Sequence, residues 1–261
     1  MKVVLASDPV EMSAFAARFV ARRVREVSHP VLGLATGDTV LGTYSELIRM
    51  HREEGLDFSA CTTFNLDEYV GLSPRHPQSY HTAMEASFFR HVNLDRGRTF
   101  LPNGTAPDLL LEAERYEAAI CQAGGVTVQL LGIGSNGHVA FNEPGSSLRS
   151  RTRVKRLSDQ TIRDNARFFA SPDEVPRYVL TMGVGTIGEA RFLLLLASGE
   201  RKAAAVRAAI EGPLTAMCPA SMVQLHPHAF VVVDRAAASQ LAGAYETVTQ
   251  VESDPYEEFL N

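Results

Sequence analysis

Residues 130–147 read LLGIGSNGHVAFNEPGSS. Gly132, Gly134 and Gly137 have the G-x-G-x-x-G spacing of a dinucleotide-binding turn. Such a turn needs a helix directly after it, because the pyrophosphate rests on that helix's N-terminus. Here Pro144 and Gly145 would break a helix almost as it began. The fingerprint also wants an acidic residue about 20 positions on, and that region, RTRVKRLSDQ, is basic as far as Asp159. The glycines are therefore expected to bend the chain sharply after a strand and to present His138 at the strand's end. Asn136 and Glu143 lie close by on the same loop. A histidine beside a carboxylate suits general acid/base work, since imidazole titrates near neutral pH. On this loop alone, a surface turn with incidental polar residues competes equally.

Outward from this loop the hydrophobic period switches repeatedly. KVVLA, PVLGLATG, CTTFNLDEY, VTVQLLGIG, RYVLTMG, RFLLLLAS and AFVVVD read as strands. Between them, helical spacing marks MSAFAARFVARRVREV, capped by Ser7 or Asp8, and LGTYSELIRMHREEG, ended by Gly55. SYHTAMEASFFRHV, LLLEAERYEAAICQAGG, SDQTIRDNARFF and GERKAAAVRAAIEG read as further helices. Apolar strands alternating with helices predict an α/β fold, a mainly parallel sheet with helices on both faces. No repeat or linker divides the chain, so one domain is expected over 1–261, with an acidic tail from about 245 to 261.

The chain has 261 residues, 45% hydrophobic and 21% charged, with a net charge of −5. That balance opposes a whole-chain nucleic-acid binder. Cys61, Cys121 and Cys218 form no C-x-x-C pair, which excludes the usual zinc and redox spacings and predicts buried free thiols. The N-terminal apolar run meets Asp8 and Pro9 too early for a signal peptide. No stretch approaches the roughly 18 apolar residues of a membrane span. A cytoplasmic chain with no membrane partner is expected.

Two more strand-to-helix turns carry chemistry. In GLATGDT, Thr36, Gly37 and Thr39 offer small side chains and free N–H groups at a helix N-terminus, which suits a phosphate or makes an ordinary turn. No G-K-[ST] follows, so it is not a nucleotide P-loop. In FNLDEYVGL, Asp67 and Glu68 stand where a strand ends, placed for proton abstraction or for capping the next segment. Arg167 in NARFF and Lys202 after RFLLLLAS could each hold a phosphate oxygen.

FNLDEYVGL, HPQSYH, LGIGSNGHVAFNEPGSSL, SRTRVK, NARFF, TMGVGTI and LHPHA occur in the order and spacing of glucosamine-6-phosphate deaminases. The chain resembles that family from near residue 30 to near 235. The resemblance implies a modified Rossmann-like fold of the sugar-phosphate isomerase/deaminase type. It implies the conversion of glucosamine 6-phosphate to fructose 6-phosphate and ammonia in amino-sugar catabolism, with no metal or organic cofactor. By position, Asp67 matches the base that moves a proton between C2 and C1, and His138 the residue that opens the sugar ring. Asn136 and Glu143 match the histidine's partners. Thr36, Gly37, Thr39, Arg167 and Lys202 match the phosphate site. Asp67 must be ionised to start, so shallow burial or charge partners are expected around it.

Two positions depart from the pattern. Many relatives carry Asp at Asn136, and an amide cannot stabilise imidazolium by charge, which predicts a lower His138 pKa here. Asp38 stands where many relatives have Gly or Ser, and a carboxylate beside a phosphate is repulsive unless it points away. In RSRTRVKR, Arg149, Arg151, Arg153 and Lys155 alternate and would share one face of a strand. A nucleic-acid stripe is disfavoured, since no aromatics interleave. In hexameric members of the family, positions matching Ser146, Arg153 and Lys155 bind an activating sugar phosphate between subunits; other members are monomers. His226 and His228 are expected to build a structural loop rather than a metal site. The competing functions are a 6-phosphogluconolactonase-like hydrolase, a non-catalytic sugar-phosphate sensor, and a deaminase preferring the galactosamine epimer.

Overall fold

A computed structural model of the chain describes residues 1–253. In chain order the elements are β1 (Lys2–Ala6), α1 (Pro9–Glu26), β2 (Val31–Leu34), α2 (Asp38–Glu54), β3 (Thr62–Asn65), β4 (Asp67–Tyr69), α3 (Tyr80–Ser87), β5 (Thr99–Phe100) and α4 (Leu109–Gln122). They continue with β6 (Val128–Gly132), β7 (Arg153–Arg156), α5 (Asp159–Asn165), β8 (Tyr178–Thr181), α6 (Val184–Gly188), β9 (Phe192–Ala197), α7 (Ala203–Ile210), β10 (Ala229–Asp234), β11 (Glu246–Thr247) and α8 (Val248–Ser253).

Local chemistry sets the helix ends. The Asp8 carboxylate accepts from the Val10 and Glu11 N–H groups at 2.8 and 2.9 Å, with Pro9 in the first turn of α1. This satisfies donors that a helix start leaves free. Gly55 ends α2 at φ 70°, a left-handed conformation that glycine adopts without a Cβ clash.

Eight strands form one sheet in the order β11-β1-β10-β9-β6-β2-β3-β5, and every pairing in it is parallel. Every residue of β9 and β10 is buried, so the sheet's centre is covered on both faces, as continuous apolar strands require. A fully buried Leu or Val contributes about 1.5–3 kcal/mol relative to exposure, which makes Leu193–Leu196 and Val231–Val233 the centre of the core. Among the described residues no helix is long and apolar enough to cross a membrane.

The structure corrects several expectations. CTTFNLDEY is not one strand. It breaks at Leu66 into β3 of the large sheet and β4, which enters a second, antiparallel sheet, β4-β8-β7. Leu66 straddles the break: its N–H donates to the Leu34 carbonyl at 3.0 Å and its own carbonyl accepts from Met182 N–H at 2.7 Å. RYVLTMG supplies β8 of this small sheet rather than a central parallel strand. A separate cluster of Tyr69, Phe141, Leu157, Ile162, Val175 and Val179 packs there.

Of the four alternating cations, only Arg153 and Lys155 lie on a strand. Arg151 precedes it and pairs with Glu117 and Glu189 at 2.6 Å each, so no open basic stripe forms. Cys61 and Cys218 are buried, but Cys121 is exposed on α4. His226 is buried, with Nε2 on the Ala190 carbonyl at 2.7 Å and Nδ1 accepting from His228 N–H at 3.1 Å. Both ring nitrogens therefore serve the loop. In the expected acidic tail, β11 and α8 occupy 246–253, and the remainder lies outside the described residues.

Candidate active site

Four neighbouring strands at the sheet's centre, in the order β9-β6-β2-β3, deliver the candidate residues from their C-terminal ends. Thr36, Gly37 and Thr39 follow β2, Asp67 follows β3, Asn136 to Glu143 follow β6, and Lys202 follows β9. Between β2 and β6 the strand order reverses direction, and loops leaving such a point part to open a crevice. Two buried tyrosines fix the ends of its near walls. Tyr44 Oη donates to the Ala35 carbonyl at 2.6 Å, just before Thr36. Tyr116 Oη donates to the Asn65 carbonyl at 2.7 Å, just before Asp67.

Asp67 opens β4 and is only 6% exposed. No hydrogen bond from the described residues holds its carboxylate. Burial, with the neighbouring Glu68 charge, pushes its pKa well above the usual carboxylate range. This overturns the expectation of a shallow or partnered base. Glu68 is buried too but fully engaged: it accepts from the N–H groups of Tyr69, Tyr80 and His81 at 2.8, 3.1 and 3.1 Å. It also pairs with His81 Nδ1 at 2.8 Å. Glu68 thus caps the first turn of α3 and ties it to β4. Sequence reasoning offered capping as the alternative for this acidic pair; one carboxylate caps and the other faces the crevice.

The glycine loop contains no helix between β6 and β7. Gly137 takes φ 84°, and Gly134 N–H donates to the His138 carbonyl at 2.9 Å. A Cβ on Gly134 would lie 2.2 Å from His138 Cε1, so the imidazole packs directly on a backbone only glycine supplies. Glu143 Oε2 lies 3.8 Å from His138 Nδ1. Asn136 Nδ2 donates to that same oxygen at 2.8 Å, and Asn136 Oδ1 accepts from the His138 backbone N–H at 3.2 Å. The amide therefore reaches the imidazole through Glu143 rather than directly. Burial lowers the His138 pKa, Glu143 pulls it back up, and the Lys202 charge lowers it. The net shift favours the neutral ring.

Glu143 is 7% exposed. Burial works against its charge, yet hydrogen bonds from Thr161, Asn136 and Ser158, with His138 nearby, hold its pKa below the usual value. Ser158 Oγ donates to Oε1 at 3.1 Å, Thr161 Oγ1 donates to the same oxygen, and Ser158 also caps α5. Neither hydroxyl was singled out from sequence. The only sequence signal is the helix read over SDQTIRDNARFF, which begins at Ser158.

The turn after β2 leaves the N-terminus of α2 open. Gly37 is its cap at φ 135°, with no side-chain hydrogen bond to the first turn. Arg167 reaches this end from a 3₁₀ turn, Ala166–Phe168. It pairs there with Asp38 at 2.8 Å. Lys202 is lowered first by burial, then by repulsion from Arg201, while Arg167 also lowers it and Asp164 raises it. Arg167 thus meets the free helix end, already partnered there, and Lys202 lies within electrostatic reach of it.

A family model described as glucosamine-6-phosphate isomerases/6-phosphogluconolactonase matches residues 7–232. The chain belongs to that family. Within the family, a protein named glucosamine-6-phosphate deaminase from Rhodococcus jostii (strain RHA1) is 57% identical, over 92% of this chain and 93% of its own. A Cellvibrio japonicus (strain Ueda107) protein of the same name is 50% identical, over 93% and 92%. A solved monomeric glucosamine-6-phosphate deaminase superimposes with a TM-score of 0.90 at 49% identity, covering 92% of this chain and all of that one. The 6-phosphogluconolactonase from Trypanosoma cruzi shares the fold, with a TM-score of 0.71 at 20% identity over 93% and 97%.

For the positions matched to a regulatory site in hexameric deaminases, the picture is divided. Ser146 is buried, and its hydroxyl has no partner. Arg153 and Lys155 lie on β7, and burial lowers the Arg153 pKa. No hydrogen bond or ion pair joins Ser146 to either cation.

Proposed function

We propose that this family member is a glucosamine-6-phosphate deaminase, taking D-glucosamine 6-phosphate and water to D-fructose 6-phosphate and ammonia. The observation that carries the reading is the meeting, at four adjacent strand ends, of an unpartnered buried carboxylate, a neutral histidine backed by a carboxylate, and a cationic cradle at a helix N-terminus. The names of relatives at 50–57% identity support it. We infer a monomer, since the solved deaminase at 49% identity is monomeric, and retain the cytoplasm as its expected location; Ser146, Arg153 and Lys155 are then left without a subunit interface to serve.

In this reading the substrate phosphate rests on the α2 N-terminus between Thr36, Gly37 and Thr39, held by Arg167 and Lys202. His138, neutral, takes the proton of the anomeric hydroxyl and returns it to the ring oxygen, opening the sugar. Glu143 stabilises the transient imidazolium, and Asn136 holds Glu143. Asp67 then removes the C2 proton to give an enolamine and delivers a proton to C1, leaving an imine at C2. Water adds there and ammonia leaves. A base buried this deeply is matched to proton transfer near neutrality. The substrate's own ammonium at C2 supplies the positive charge that the protein withholds from Asp67.

The test is ammonia release from glucosamine 6-phosphate by the purified chain and by Asp67→Asn. Release that falls at least about a thousandfold in the variant is expected, within the range for removal of a general base. Hydrolysis of 6-phosphogluconolactone with no ammonia from the amino sugar, or tight binding without turnover, would overturn the reading in favour of the lactonase or the sensor.

A further inference from the structure

Asp38 and Arg167 are 129 positions apart and meet at 2.8 Å across the mouth of the phosphate cradle. Asp38 is the first residue of α2, directly after the Gly37 cap. Its carboxylate there favours the helix dipole and stands on the end that an incoming anion would use. The Arg167 guanidinium lies over the Phe168 ring, its central carbon 4.5 Å from the ring centroid. Both side chains are largely open, at 58% for Arg167 and 67% for Asp38, so an anion from solvent can reach the pair.

We propose that Asp38 is an internal competitor for Arg167: its carboxylate holds the guanidinium through Nη2, and a phosphate that binds Arg167 there must displace it. The inference rests on the reading above that Arg167 holds the substrate phosphate. Asp38 Oδ2 takes its hydrogen bond from Nη2, the nitrogen shared by both paired edges of the guanidinium, so a phosphate that binds through Nη2 competes with it. A dianionic phosphate wins the exchange, because it carries more charge and is helped by Lys202 and the free N–H groups of α2. The exchange still costs the pair that is broken. Asp38 thereby sets KM for any phosphorylated substrate while keeping Arg167 at the mouth of the site.

An exposed ion pair of this kind corresponds to a factor of up to about five in binding. The experiment compares the full chain with Asp38→Asn, Arg167→Ala and the double variant. Inorganic phosphate affinity is read by calorimetry and KM for glucosamine 6-phosphate by ammonia release, with thermal unfolding to show that each variant folds. Asp38→Asn is expected to tighten phosphate about two- to five-fold and to lower KM in parallel. That gain should vanish in the Arg167→Ala background. An equal gain in both backgrounds would mean plain charge repulsion and overturn competition for Arg167. Unchanged or weaker binding in Asp38→Asn, or no phosphate binding by any of the four proteins, would overturn it as well. If the wild-type chain releases no ammonia but the calorimetric pattern holds, the functional reading fails and the role of Asp38 stands.

Discussion

Asp67 and Glu143 are both buried carboxylates at the ends of central strands, and their surroundings drive them in opposite directions. Glu143 is 7% exposed but accepts from Asn136, Ser158 and Thr161, so its charge is held. Asp67 is 6% exposed, has no donor among the described residues, and sits beside the buried charge of Glu68. Burial alone therefore does not decide what a carboxylate does; the supply of donors does. In the proposed mechanism the partnered one stays an anion and tunes the histidine, and the unpartnered one trades a proton; two carboxylates pushed apart in this way are the usual pattern of an acid/base site.

The contrast can be broken at three depths. After the loss of turnover in Asp67→Asn, the largest effect is expected from Glu143→Gln, which removes the charge behind His138 and lowers kcat about a hundredfold or more; steady-state kinetics near neutral pH checks it, and near-wild-type turnover would show that Glu143 does not support the imidazole. Next, Asp67→Asn should raise Tm by about 2–4 °C, the response of a chain of this size to ~1 kcal/mol, because a buried charge without donors is relieved. A lower Tm by calorimetry would mean that Asp67 is partnered after all. The smallest effect is that of Asn136→Asp. Its new carboxylate replaces the amide 2.8 Å from Glu143 and adds negative charge beside the ring, so an NMR titration should find the His138 pKa raised. An unchanged or lower value would detach position 136 from the tuning of the imidazole.

Much of this was legible in the sequence, and the exceptions have a common cause. The long apolar strands and the helix caps at Asp8 and Gly55 announce themselves through local chemistry. So does the loop that brings His138 within reach of Glu143, because both residues lie in one short turn. What was hidden depends on contacts far apart in the chain. FNLDEY looks like a single strand because nothing in its composition marks Leu66 as the point where the backbone changes sheets. The small antiparallel sheet is built from strands of three or four residues, too short for a period to declare itself. The Asp67 environment was misjudged because the matched role asks for an ionised carboxylate, whereas Tyr69, Tyr80 and Tyr116, far apart in the chain, come within electrostatic reach of it. The Asp38–Arg167 pair joins two segments whose sequences carry no sign of each other.

Glu143 grips α5 through Ser158 and Thr161 while it faces His138. As pH falls, Asp67 takes up its proton before Glu143, since burial raises its folded-state pKa; in the proposed mechanism that step removes the base, and it favours the folded form. The contribution of Glu143 persists above its unfolded pKa and is lost only as pH falls through its depressed folded value. Between the two titrations lies a window in which Asp67 is protonated while Glu143 still holds α5 as an anion. Acid is therefore expected to silence the proposed base before it loosens the grip of Glu143 on α5.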